Sequence, residues 1–141
     1  MIGPFAGAQR WLSNFWPAAV MFEGMKYYCV ETAFVAAKTE DDSLRRQIAG
    51  MSAGQAKRFG RTLQLRNGWM EMRESVMLEL VRKKFEHEDL RAQLIATGVE
   101  EIVELNQWHD NFWGVCICER CNGGGLNKLG HILMQVREEI R

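Results

Sequence analysis

Glu31 and Lys38 are a first pair of candidate catalytic residues, because their side-chain types and their spacing are compatible with catalysis. They are seven residues apart in the segment VETAFVAAK, so on a helix they return to nearly the same face, about 20° apart and roughly 10 Å along the axis. Phe34 lies between them on that face. A carboxylate and an amine that face one pocket can act as a proton carrier and a nucleophile. The alternative is a solvated helix face with unrelated charges.

A second candidate is the loop SNFWP, which contains Ser13, Asn14 and Phe15. An asparagine beside aromatic residues is suited to hydrogen bonding and stacking with a planar ligand. The alternative is a surface loop held in place by buried aromatic side chains. The same alternative applies to all five tryptophans of the chain.

Basic residues gather in the segment AKRFGRTLQLR and shortly after it: Lys57, Arg58, Arg61, Arg66 and Arg73. Guanidinium groups match the oxygen atoms of a phosphate, so the cluster could bind one. Acidic residues are also plentiful in the sequence, and a solvated charged surface is the alternative interpretation.

Three of the four cysteines form a C-x-C-x-x-C motif, Cys116, Cys118 and Cys121. Three thiolates could bind zinc, and the fourth ligand would then be one of His109, His131 and Cys29. Because the fourth ligand has no fixed spacing, the motif is weaker than a paired C-x-x-C motif. We therefore assign no metal from the sequence and leave zinc at the three cysteines as the alternative.

The segment GGGLNKLG lacks the G-x-x-x-x-G-K-[ST] arrangement of a phosphate-binding loop, and no hydrophobic strand precedes it. We reject a nucleotide-binding loop at this position. The glycines instead allow close backbone approach ahead of a last helix, for which Asn127 is the expected N-cap.

Composition limits the class of protein. The chain has 141 residues, a length typical of one domain, and its 18 basic and 18 acidic residues cancel. Zero net charge argues against a function that depends on bulk attraction to nucleic acid or to an anionic membrane, although a local basic pocket is compatible with it. The sequence contains no apolar run of membrane-spanning length and no secretory signal, so we expect a cytoplasmic protein with reduced cysteines and no membrane partner.

These candidate residues are positioned mainly by helices. Residues 1–29 are typical of ordered loop or short strand, and VEEIVELNQ is ambiguous between a helical turn and a strand. The helical segments are VETAFVAAK, DSLRRQIAG, SAGQAKRFG with Ser52 as cap, Leu65 to Phe85, HEDLRAQLIATG closed by Gly98, and Leu129 to Ile140. The pattern predicts a mainly α fold, a single compact helical domain over residues 1–141, with room for a short strand pair.

In their order along the chain, these motifs resemble the NADAR family, also called YbiA-like. The matching elements cover nearly the whole chain: LSNFWP (12–17), VETAFVAAK (30–38), AKRFGR (56–61), Trp69 with Arg73, KF (84–85), LIATG (94–98), ELNQWHDNFWG (104–114) and LNKLGHILMQVR (126–137). Two features depart from the family pattern. Thr32 stands where the family usually has histidine, and the cysteine-bearing segment between Gly114 and Asn127 is not general to it.

The resemblance implies an N-glycosidase that cleaves the bond between ribose C1 and an exocyclic nitrogen, without a metal or organic cofactor. It implies a small nucleotide-like substrate or ADP-ribosylated guanine in nucleic acid. In the first case, the substrate is a riboflavin-pathway ribosylamino-pyrimidine phosphate. A non-catalytic module that binds ADP-ribose or a nucleotide is the alternative of a different class.

We expect Lys38, Glu31 and Asp110 to be catalytic. In one scheme Lys38 is a nucleophile that forms a Schiff base with the opened sugar, and in the other Glu31 and Asp110 form an acid–base pair while Lys38 only binds. The residues expected to bind the substrate are Ser13, Asn14, Phe15, Phe34, Arg61, Trp69, Arg73, Trp108, Trp113, Gly114 and Asn127.

Overall fold

The computed structural model describes every residue from Met1 to Arg141. The fold is mainly α, as predicted, with six α-helices, one 3-10 helix and four short strands. By their internal contacts the residues form two units, Asn14–His87 and a second unit composed of Met1–Ser13 and Glu88–Arg141. No helix combines the length and the apolar character that crossing a membrane requires.

The unit Asn14–His87 begins with an antiparallel strand pair and continues with four helices. The elements are β1 (Val20–Phe22), β2 (Met25–Tyr27), α1 (Val30–Ala37), α2 (Asp42–Ala49), α3 (Ala53–Gly60) and α4 (Trp69–Lys84). Helix α1 packs against the other three helices and is buried at every position except Glu31. Its small alanine side chains allow this close approach on several sides.

Local capping residues define the starts of these helices. The Thr32 side chain accepts a hydrogen bond from the Cys29 backbone N–H at 3.1 Å and donates one to the Cys29 carbonyl at 2.9 Å, at the start of α1. Ser52 and Gln55 form a capping box at the start of α3, which confirms Ser52 as the predicted cap.

Helix α4 begins later than the sequence pattern predicts. The sequence pattern begins this helix at Leu65, but Leu65 is 45% exposed and the helix starts at Trp69. Gly68 adopts a φ of 77° immediately before it, a left-handed conformation that interrupts a helix. Trp69, Val76 and Leu80 form the buried face of the helix.

The second unit contains the 3-10 helix Gly7–Leu12, α5 (Glu88–Ala96), β3 (Leu105–Asn106), β4 (Val115–Cys116) and α6 (Lys128–Ile140). Strands β3 and β4 pair in parallel, so the ambiguous segment VEEIVELNQ contains a short strand, Leu105–Asn106, rather than a helical turn. Helix α5 packs against α6, which is buried at Leu129, Ile132, Leu133 and Val136.

Candidate functional site

Lys38 is held at the carboxyl end of α1 by hydrogen bonds on both sides of its backbone. Its N–H donates to the Val35 carbonyl at 3.1 Å, and its carbonyl accepts a hydrogen bond from the Arg66 N–H at 2.8 Å. The buried Arg45 donates from Nε to the neighbouring Thr39 carbonyl at 2.8 Å. The Lys38 side chain therefore projects from a backbone that three contacts keep in place.

The environment of Lys38 favours its neutral form. Burial lowers the pKa of the Lys38 amine, and the positive charges of Arg61 and Lys57 lower it further, while the Glu31 carboxylate acts in the opposite direction. A lowered pKa increases the fraction of neutral amine near neutral pH, which is the nucleophilic form. Glu31 and Lys38 thus act on one another electrostatically, in keeping with their shared helix face.

Helix α3 brings the two cations to Lys38 because Gly60 has no side chain. A β carbon on Gly60 would lie 3.1 Å and 3.3 Å from the two methyl groups of Val35 and 3.6 Å from Nζ of Lys38. Lys57 lies three residues before Gly60, and Arg61 follows it directly. Lys57 and Arg61 are four residues apart, so they lie on the same face of the helix.

The loop SNFWP is attached to the first turn of α1 at Glu31. The Glu31 N–H donates to the Asn14 carbonyl at 3.1 Å, and the Asn14 side-chain amide contacts the sulfur of Met77 at 3.6 Å. In the same loop, Phe15 is 42% exposed, and the centre of its ring lies 5.7 Å from Nζ of Lys57. The loop therefore presents an accessible aromatic ring beside one of the cations that acts on Lys38.

Phe34, in the middle of α1, contacts both Lys38 and Trp69. Nζ of Lys38 lies 5.8 Å from the centre of its ring, within cation–π range. The Phe34 ring in turn packs against Trp69, with ring centres 5.1 Å apart and the planes tilted by 56°. Trp69 is buried, so in this structure it supports Phe34.

The basic residues that form one cluster in the sequence have different surroundings in the structure. Arg66 forms ion pairs with Glu23 and Glu40, each at 3.5 Å, and so stabilises the fold. Arg61 is exposed at the end of α3 and Arg73 is half-buried in α4. Arg61 is the guanidinium whose charge acts on Lys38.

In the second unit, Asp110 closes a tight turn. Its Oδ1 accepts hydrogen bonds from the backbone N–H groups of Phe112 at 3.2 Å and Trp113 at 2.9 Å. Asn106, which is buried on β3, accepts from the Asp110 N–H at 3.1 Å and donates to the Asp110 carbonyl at 2.9 Å. Asp110 therefore makes four hydrogen bonds, two through its carboxylate and two through its backbone, and together they fix the direction of the carboxylate.

The aromatic residues around Asp110 differ in exposure. Trp108 is 61% exposed, and its N–H donates to Oδ1 of Asn106 at 3.2 Å. Trp113 is half-buried and packs edge to face against Phe112, with ring centres 4.8 Å apart. Gly114 is buried, and a β carbon there would overlap the Glu104 carbonyl.

Ser13 and Asn127, two further predicted binding residues, have structural roles of different kinds. Ser13 ends the 3-10 helix, with its N–H donating to the Arg10 carbonyl at 3.0 Å. Asn127 occupies the N-cap position of α6, but its side chain makes no capping hydrogen bond, so the prediction of an Asn127 side-chain cap is wrong. Its amide instead bonds the Glu104 N–H and the Ile102 carbonyl, each at 3.0 Å.

Sequence reasoning missed two residues that shape these surroundings. Gly60 was not singled out, although its position between Lys57 and Arg61 in AKRFGR was a signal for close helix approach. Asn106 was not singled out either, and its position at the end of β3, ahead of a turn, was the available signal. The structure also brings His109 to the three cysteines of the C-x-C-x-x-C motif.

Comparison with known proteins gives one consistent family. The profile of the NADAR domain matches residues 4–141. An N-glycosidase YbiA of Shigella boydii is 38% identical over 134 residues, which are 91% of this chain and 79% of that protein. A riboflavin biosynthesis protein of Vibrio vulnificus is 37% identical over 134 residues, which are 92% of this chain and 35% of that protein.

A solved structure is also similar to the whole chain. The NMR structure of the E. coli protein YbiA superposes with a TM-score of 0.82 and 32% sequence identity. The match covers 99% of this chain and 82% of the other. The mainly helical architecture is therefore shared with that protein.

Proposed function

Since the chain belongs to the NADAR domain family and is an N-glycosidase, we propose that it cleaves the bond between ribose C1 and an exocyclic amine. The observation that carries this proposal is the environment of Lys38, whose pKa is lowered by burial and by the cations Arg61 and Lys57, beside the carboxylate of Glu31. Simple carboxylate-assisted hydrolysis of a glycoside needs no neutral amine. Exchange of one amine for another at C1 requires one.

We propose two substrate classes that share this bond: ADP-ribosylated guanine and a riboflavin-pathway ribosylamino-pyrimidine phosphate. Each has a planar base, a ribose joined to an exocyclic nitrogen, and phosphate. The exposed Phe15 ring and Arg61 are suited to the base and the phosphate respectively. The name of the Vibrio vulnificus relative supports the second class.

The proposed reaction begins when the ring oxygen takes up one proton and the sugar ring opens, which gives a protonated imine between C1 and the exocyclic nitrogen. The neutral Lys38 amine adds to C1, and a proton passes from its nitrogen to the leaving nitrogen with Glu31 as carrier. The base departs as a free amine, and Lys38 remains joined to C1 as a protonated Schiff base. Water then adds to C1, the C1–Nζ bond breaks, and the ribose aldehyde is released.

Asp110 is the proposed second carboxylate, which assists proton transfer to the leaving nitrogen or stabilises positive charge at C1. Its fixed orientation supports such a role, because a preorganised group needs no reorientation during the reaction. In the competing scheme, Glu31 and Asp110 act as acid and base across an oxocarbenium-like state. Lys38 then only binds the substrate.

Borohydride reduction separates the two schemes. The protein is incubated with guanine-ADP-ribosylated oligonucleotide or with the riboflavin intermediate, then reduced, digested and analysed by mass spectrometry. We expect an adduct on Lys38, and neither the adduct nor turnover in Lys38→Ala. Lys26→Ala, which removes an exposed lysine from β2, is the matched control and keeps both.

Other results would contradict either the Schiff-base scheme, the substrate classes or the catalytic function. Turnover without an adduct, or an adduct that persists in Lys38→Ala, would exclude the Schiff-base scheme and favour the carboxylate pair. Release of product from neither substrate by the folded protein would exclude both substrate classes. Binding of ADP-ribose without cleavage would instead favour a binding module, a class that the named relatives do not support.

A cytoplasmic location remains a prediction, which the four free cysteines support.

A further inference from the structure

Four side chains that can bind a metal meet in the second unit: His109, Cys116, Cys118 and Cys121. Their ligand atoms, one imidazole nitrogen and three sulfurs, all lie within 4.8 Å of one another. All three cysteines are free thiols rather than partners in a disulfide. Four such atoms at this spacing are the complete donor set of a tetrahedral zinc site.

The individual distances agree with coordination. Nδ1 of His109 lies 3.3 Å from Sγ of Cys121, 3.4 Å from Sγ of Cys118 and 3.8 Å from Sγ of Cys116. Tetrahedral zinc with Zn–N of about 2.0 Å and Zn–S of about 2.3 Å places nitrogen and sulfur about 3.5 Å apart. A single nitrogen can donate or accept one hydrogen bond, so hydrogen bonding accounts for one of the three contacts, whereas a shared cation accounts for all.

The turns before and after β4 each supply a hydrogen-bond donor to one of the sulfurs. The Cys121 backbone N–H donates to Sγ of Cys118 at 3.4 Å, and the Asn111 side-chain amide donates to Sγ of Cys121 at 3.6 Å. The turn after β4 is closed by the Gly123 N–H, which donates to the Cys116 carbonyl at 2.8 Å. Donors that point at sulfur stabilise the thiolate, which is the form that binds metal.

His109 is presented by the same turn that carries Asp110. Its φ of 68° lies in the left-handed region, which is uncommon for a residue other than glycine. The residues on either side are both tied to Oδ1 of Asn106, through the Trp108 N–H at 3.2 Å and the Asp110 N–H at 3.1 Å. The backbone is therefore constrained on both sides of the histidine.

The structure also selects the fourth ligand from the three candidates that the sequence left open. Cys29 is buried and caps α1 together with Thr32. His131 is exposed on α6 and is not part of the cluster. Only His109 joins the three cysteines.

We propose that Nδ1 of His109 and the sulfurs of Cys116, Cys118 and Cys121 bind one Zn²⁺ ion. Four protein ligands close the coordination sphere, so the site is structural rather than catalytic. The ion connects three segments: the turn that contains His109 and Asp110, strand β4 with Cys116, and the turn after β4 with Cys118 and Cys121. Zinc at this position keeps the Asp110 carboxylate in place, and its binding does not depend on which substrate the protein cleaves.

Metal analysis of the intact purified protein tests the site directly. We expect about one zinc per chain. The variant Cys118→Ser/Cys121→Ser and the variant His109→Ala should lose it, whereas Cys29→Ala and His131→Ala are matched controls that should retain it. Exchange of zinc for Co²⁺ should give the intense visible absorption of a tetrahedral thiolate site in the wild type and in both controls, but not in the cluster variants.

A second measurement keeps the test decisive where a cluster variant fails to fold. Wild-type protein stripped with a chelator should show a lower unfolding temperature, and added Zn²⁺ should restore it and protect three thiols from alkylation. The proposal is overturned by any of three results. These are zinc content near zero after reconstitution with no change in thiol protection, full zinc retention in the double cysteine variant, or iron bound by these residues instead of zinc.

Discussion

Gly60 faces the amine of Lys38 so closely that a β carbon on the glycine would lie 3.6 Å from Nζ. The same carbon would lie 3.1 Å from a Val35 methyl group, closer than packed carbon atoms normally approach. This contact determines how near Lys57 and Arg61 come to Lys38. The separation of α1 and α3 is therefore coupled to the pKa of the proposed nucleophile.

Gly60→Ala should consequently lower activity by displacing α3. We expect a loss of about 1–3 kcal/mol in the free energy of unfolding, because the added methyl group overpacks the contact with Val35. Gly54→Ala in the same helix is the matched control. Its β carbon would meet only the end of the Arg58 side chain, at 3.7 Å, so its stability should be unchanged or slightly higher. Urea unfolding and kcat/KM measure both effects, and equal behaviour of the two variants would contradict the coupling.

Arg61→Ala should move the pH dependence of activity to higher pH. The Arg61 charge lowers the pKa of Lys38, so its removal raises that pKa, and a higher pH is then needed to produce the neutral amine. The midpoint of the rise in kcat/KM with pH is the measurement, since loss of a phosphate contact alone would change the amplitude and not the midpoint. Arg58→Ala, which removes an exposed arginine from the same helix, is the control and should leave the midpoint in place. An unshifted midpoint in Arg61→Ala would exclude this role.

Asp110→Asn and Asp110→Ala should differ in stability but not in activity. Asparagine keeps an oxygen that accepts the N–H groups of Phe112 and Trp113, whereas alanine leaves both without that acceptor. We expect Asp110→Ala to lower the free energy of unfolding by about 1–2 kcal/mol and Asp110→Asn to change it little. Turnover should fall in both, because the charge is lost. Near-normal turnover of Asp110→Asn would remove Asp110 from the catalytic residues.

Stability should rise with pH above neutrality because of Lys84. Burial lowers the pKa of this lysine to about 7, while in the unfolded chain its pKa is about 10.5. Between these values the unfolded state binds more protons, so the free energy of unfolding increases with pH. The destabilising effect is complete below about pH 7, is gone above about pH 10.5, and amounts to about 5 kcal/mol.

Urea unfolding from about pH 7 to about pH 9.5 measures this slope. Lys84→Met removes the titrating group and should flatten the curve. Lys26→Met, on the exposed strand position, should retain the wild-type slope. A wild-type curve that is flat over this range would show that Lys84 does not titrate near neutrality.

Local rules predicted most of the helices and the relation of Glu31 to Lys38. Helical periodicity needs only neighbouring residues, and capping signals such as Ser52 with Gln55 act within one turn. The start of α4 was placed too early because apolar spacing continued through Leu65, while Gly68 adopts a left-handed conformation that periodicity does not reveal.

The sequence by itself therefore determined the helical class, the approximate limits of the helices and the shared face of Glu31 and Lys38. The tertiary structure decided which side chains from distant segments contact one another. It placed Lys57 and Arg61 near Lys38, directed the Asn127 side chain to Ile102 and Glu104, and selected His109 for the cysteine cluster. Each of these depends on contacts between residues that are far apart in the chain or on the course of a turn, and spacing along a helix contains no information about them.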